Sequence, residues 1–146
     1  MGNYISKFSN IIKMPNVFGK IKYHRRTSKI ETALTKLKEA ELYDLKDMDE
    51  IKERFLRQPQ VAEALLFTTT ILEKNYASSL VFKIEIEYDW EDECIIVLVP
   101  IETSNPDMDH DFFKISQSTR KKFGIASEHV FLMNYIAADD KVRDKI

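Results

Sequence analysis

The sequence predicts an α+β fold. N-terminal helices precede a β-hairpin, a crossover helix and a final strand, which together form a small three-stranded sheet with helices on one face. Three observations predict it. Apolar residues recur at helical spacing as far as Tyr76. The period drops to two between Phe82 and Tyr88. Helical spacing returns between Pro106 and Phe123, before a last apolar run.

Ser28 is a plausible N-cap, with Glu31 three residues on completing a capping box. Ile30, Ala33, Leu34, Leu37 and Ala40 follow at helical spacing and predict a helix near 29–43. Asp47 with Glu50 offers a second helix start, whose apolar face is Ile51, Phe55 and Leu56. Gln58-Pro59 ends that helix, because the residue before proline disfavours helical geometry. Pro59 can itself open the next, whose stripe of Val61, Ala64, Leu65, Thr68, Ile71 and Leu72 runs to Tyr76.

Phe82, Ile84, Ile86 and Tyr88 alternate with Lys83, Glu85 and Glu87, the pattern of a strand with one apolar and one charged face. Asp89 to Glu93 is a polar turn. Cys94 to Val99 is an unbroken apolar run, which predicts a strand covered on both faces and a hairpin with the preceding one. Ser104 or Asn105 caps the crossover helix, with Pro106 near its first position and Asp107 and Asp109 in its first turn. Met108, Phe112, Ile115, Thr119 and Phe123 line one face, and Gly124 stops the helix. Val130 to Ile136 forms the last strand. The unit 94–136 has the form of a β-α-β crossover, right-handed if its strands are parallel. The expected core includes Leu65, Leu72, Phe82, Ile84, Ile96, Leu98, Phe112 and Leu132, so Leu98→Ala is expected to cost ~2–5 kcal/mol.

The chain of 146 residues is read as one domain, 30–136, between an N-terminal arm, 1–29, and a polar tail, 137–146. At 44% apolar and 32% charged, the composition is that of a globular protein and not of a disordered chain. The single cysteine, Cys94, excludes an internal disulfide and a multi-cysteine zinc site. No apolar run approaches the ~18 residues of a membrane-spanning helix.

The net charge of -2 conceals an asymmetry. Residues 1–30 hold seven Lys and Arg with no acid, whereas 31–146 carry all 24 acids. The arm is also apolar, with Tyr4, Ile5, Phe8, Ile11, Ile12, Val17, Phe18 and Ile21 among its basic residues. Lys20, Lys22, Arg25 and Arg26 are its candidate partner contacts. Four readings of the arm stand open. It docks on its own acidic domain or a partner subunit, displaces counterions from nucleic acid, anchors at a membrane, or is an organelle transit peptide. The membrane reading draws on Met1-Gly2-Asn3-Tyr4-Ile5-Ser6, which fits the myristoylation pattern.

Chemistry-bearing groups are sparse. Asp107, His110 and Asp111 share one helix face and are the nearest approach to a metal-ligating set, though no second ligand pair accompanies them. Glu91, Asp92 and Glu93 fall in a turn expected to be solvated, whereas carboxylates for acid–base work need burial or close coupling. His24 and His129 have no partner for triad chemistry, and Cys94 opens an apolar strand, where a thiol is buried and inert. Arg120-Lys121-Lys122 suits a helix C-terminus as well as a phosphate. With three glycines in the chain, no phosphate-cradling loop is present. Trp90 sits alone in the acidic turn, either packed over the hairpin end or serving as a partner-contact anchor.

Residues 51–59, Ile-Lys-Glu-Arg-Phe-Leu-Arg-Gln-Pro, lead through a helix to Tyr76-Ala77-Ser78-Ser79, and the hairpin strands flank an acidic turn. Over about 50–115 this resembles a group of small prokaryotic α+β proteins with an F-L-x-x-P helix start and an acidic hairpin turn. The resemblance carries over no activity. It makes membership in a two-gene pair of the toxin–antitoxin kind worth considering. The expected function is therefore a non-enzymatic, cytoplasmic protein-interaction or regulatory module that binds another protein and needs no cofactor. The alternatives are a nucleic-acid-binding protein using the arm, a small enzyme with an unrecognised site, and a peripheral membrane protein anchored through 1–29.

Overall fold

The computed structural model describes residues 29–137. The fold is α+β, with four helices and a mixed four-stranded sheet. Helix α1 (29–39) buries Ile30, Leu34 and Leu37. Strand β1 (Tyr43–Leu45) follows, then α2 (Met48–Arg57), α3 (Pro59–Tyr76), β2 (Ile84–Asp89) and β3 (Cys94–Ile101). Helix α4 (Pro106–Phe123), a 3-10 turn (Gly124–His129) and β4 (Val130–Ile136) complete the order. The strands lie in the order β1-β2-β3-β4, with β2 and β3 antiparallel and both outer strands parallel to their neighbours.

The sheet thus has four strands where the sequence predicts three. The added strand comes from the end of the segment expected to be helical to 43. The helix stops at 39 because the next residues are claimed by β2: Ile84 N–H donates to the Leu42 carbonyl and Lys46 N–H to the Ile86 carbonyl, each at 2.8 Å. Three residues are too few to show a period, so only the distant partner defines this strand.

Helix boundaries follow local chemistry. Asn105 Oδ1 accepts from Met108 N–H at 3.0 Å and Pro106 is the first residue of α4. Gly124, at φ +59°, ends that helix in a conformation that side chains rarely adopt. Asp47 precedes α2 as expected but caps it with no side-chain bond. Its carboxylate instead accepts from Tyr88 N–H at 3.1 Å, extending the β1–β2 ladder by one rung.

Helices α3 and α4 lie on one face of the sheet, and α1 and α2 add Ile30, Leu34, Ile51 and Phe55 to the same core. Ile84, Ile86 and Tyr88 from β2, with Ile95, Val97, Val99 and Ile101 from β3, form its buried platform. Ring contacts and a hydrogen bond help to seam helices α3 and α4 above it. Phe67 meets Phe123 edge-on at 5.6 Å, Tyr76 meets Phe112 edge-on at 5.9 Å, and Tyr76 Oη donates to Asp111 Oδ2 at 2.6 Å. The buried hydroxyls of Thr68 and Thr119 each donate to the carbonyl four residues back in their own helix.

Both parallel connections pass over this same face, since Tyr43 of β1 reaches Glu73 of α3 and Asn134 of β4 reaches Asp109 of α4. They advance the same way across the sheet from strands that run in opposite directions. Two such connections necessarily have opposite hands, so one of them is the uncommon left-handed form.

Strand β3 is not covered equally on both faces. Ile96 and Leu98 are only half-buried, on the side away from the helices, and Leu132 of β4 is also half-buried. The remaining expected core residues, Leu65, Leu72, Phe82, Ile84 and Phe112, are buried. Ile95→Ala should therefore cost ~2–5 kcal/mol, as cavity-forming core changes do. Leu98→Ala should cost about half as much as Ile95→Ala, because it removes fewer buried contacts. Urea denaturation of the two variants measures both, and equal costs would contradict the asymmetry between the faces.

Candidate functional site

Several buried or half-buried polar groups are engaged in holding elements together. Tyr43 Oη lies 2.6 Å from Glu73 Oε2, to which it donates; burial and that carboxylate push its pKa well above the ordinary phenol range. Buried Arg54 donates from Nε to the Glu93 carbonyl at 3.2 Å and from Nη2 to Gln58 Oε1 at 2.9 Å, fixing α2 to the hairpin turn. Asp111 accepts from Tyr76, whose pKa is likewise raised by burial and by that carboxylate.

The residues singled out from sequence fall as follows. Asp107 and His110 are exposed on the first turns of α4, and Asp111 joins the α3 seam. Among the described residues, no three His, Cys, Asp or Glu side chains gather closely enough to hold a metal ion. Glu91, Asp92 and Glu93 are exposed, and Glu93 pairs with Arg57 at 3.3 Å. Arg120 pairs with Glu128 at 3.3 Å, and Lys122 stands 4.7 Å over the Phe67 ring. Cys94 is a free, buried thiol, and burial pushes its pKa up to about 11. His129 titrates below its ordinary range, chiefly through desolvation. Trp90 is 68% exposed at the hairpin tip, held edge-on to Tyr88 at 5.3 Å. Lys20, Lys22, Arg25, Arg26 and His24 lie outside the described residues, as do Gly2 and the residues after 137.

A different site emerges along β4. Ala137 N–H donates to the Ile101 carbonyl, so the odd-numbered residues of β4 direct their main-chain groups to β3. By the two-residue period of a strand, Val130, Leu132, Asn134 and Ile136 direct theirs away from the sheet. Among the described residues no strand pairs with that outer edge. Proteins normally protect such an edge with charge, proline, a bulge or brevity. The β4 sequence, Val-Phe-Leu-Met-Asn-Tyr-Ile, is seven residues long and has neither charge nor proline.

Beside this edge runs a groove of about 490 Å³. Its helical wall is Phe113, Ser116, Gln117 and Arg120, one face of α4 at helical spacing, and its strand wall is Val130, Phe131 and Leu132. Phe113 is 61% exposed and Phe131 48%. Two signals in the sequence mark this place. Phe113 is a large aromatic off the apolar stripe of α4, and β4, like β3, carries no charged residue on either face.

Comparison of the chain with protein-family models, with curated proteins and with solved structures found no match.

Two outcomes follow for the buried groups. Tyr76→Phe and Asp111→Asn should each destabilise by about 1 kcal/mol, and the double variant by little more, since both remove one hydrogen bond. Cys94, with its folded pKa raised, contributes stability that is present below pH 9 and lost as pH rises toward about 11. A thiol reagent at pH 8 should therefore leave the folded chain unmodified and react fully in denaturant.

Proposed function

We propose that this chain is a protein-interaction module that takes up an extended segment of another protein along the outer edge of β4. The observation that carries this reading is the seven-residue outer edge, paired with no strand among the described residues, lying beside an apolar groove. Outward main-chain groups at Leu132 and Asn134 would bond the incoming strand, which supplies affinity without sequence preference. Alternate side chains of that strand would enter the groove between Phe113 and Leu132, which supplies specificity for apolar residues at every second position. In the regulatory setting expected from the sequence, a partner protein would supply the segment.

Selection of displayed random peptides against the full chain tests this. Binders should be extended sequences with alternating apolar residues. Asn134→Pro removes one outward N–H while sparing the β3 ladder, a change that edge strands tolerate. Phe113→Asp places a charge in the groove wall. Each should weaken binding by about tenfold or more, as loss of a central contact does, with the circular dichroism spectrum unchanged. Binders indifferent to both variants, or a selection that yields none, would overturn the reading.

A further inference from the structure

The sheet face opposite the helices is apolar at its centre. Ile96 and Leu98 of β3 stand beside Phe131 and Met133 of β4, which are 48% and 44% exposed. Tyr135 reaches across this face to donate to Glu85 Oε2 at 3.2 Å. Parallel strand pairs are ordinarily buried on both faces, and β3–β4 is a parallel pair. The β1–β2 side of the same face is acidic: Asp44, Glu85, Glu87 and Asp89 share it with Lys46 and Lys83.

We propose that residues 1–28 of this chain cover that face. Charge, length and apolar content select this occupant. The described residues, 29–137, contain 21 Asp and Glu against 13 Lys and Arg, whereas residues 1–28 contain six Lys and Arg and no acid. Their apolar groups match an apolar surface, and Tyr4, Ile5, Phe8, Ile11 and Ile12 recur at the spacing of one helical face. Even ten extended residues reach about 33 Å, so 28 suffice to pass from α1 to the far side of the sheet. A second copy is a poorer occupant, because its described residues carry the same excess of negative charge. Residues 138–146 are poorer too, with three acids, three bases and few apolar groups. The inference does not depend on strand addition at β4.

Photo-cross-linking of the full chain tests it. A benzophenone amino acid replaces Met133, which is exposed enough to tolerate it. Unlabelled and nitrogen-15 chains are mixed, so that links within a chain and between chains differ in mass. The expected result is links within one chain to peptides from 1–28. The same probe at Lys114, exposed on α4 in the opposite layer, should give none. Reversing two charges, Asp44→Lys with Glu87→Lys, should lower the yield about fivefold or more at low salt, where surface charges are least screened. Links to a second copy, links only to 138–146, no links from position 133, or a yield indifferent to charge reversal would each overturn the proposal.

Discussion

The buried face of the β2–β3 hairpin is the surface on which the rest of the molecule depends. Seven side chains, Ile84, Ile86, Tyr88, Ile95, Val97, Val99 and Ile101, present one continuous apolar platform. Burying it requires a covering layer, which α3 and α4 supply from one side while α1 and α2 join the same core. The parallel strands β1 and β4 are consequences of that layer, since each is the return of a helical connection to the sheet. Putting both connections over one face outweighs the usual preference for right-handed crossovers, which favours the hand of each unit separately.

The same layer absorbs the polar groups. Tyr43, Arg54, Thr68, Tyr76 and Thr119 each satisfy a hydrogen bond that joins or closes an element, as buried polar groups must. The Cys94 thiol is held protonated by its burial. Titratable side chains in these positions stabilise the fold, and two exposed apolar surfaces lie elsewhere. They meet at β4: its outer edge borders the groove against α4, and its Phe131 and Met133 belong to the sheet's open face.

The elements with a strong internal period were legible from sequence. Helix α3 begins at Pro59 and ends at Tyr76, and α4 runs from Pro106 to a stop at Gly124, because caps, proline and glycine act locally. The alternation in β2 places Glu85 and Glu87 on the face away from the helices, as a period of two requires. The candidate site was less legible. Trp90 is exposed but is not part of the groove's lining, and the groove arises between Phe113 and Leu132, nineteen residues apart and on different elements.

The sequence by itself determined the α+β class, the hairpin, the Asn105 cap and Gly124 stop of α4 and the helix faces, since each depends on neighbours within a few turns. The tertiary structure alone decided the fourth strand, the half-cover of Leu98 and the role of Asp47. Tyr43–Leu45 becomes a strand only because Ile84 and Ile86 offer it hydrogen bonds some forty residues away. An apolar run such as Cys94–Ile101 records that its residues avoid water. Which of them meets a helix and which faces outward follows from the layer that packs above, a contact no local pattern contains.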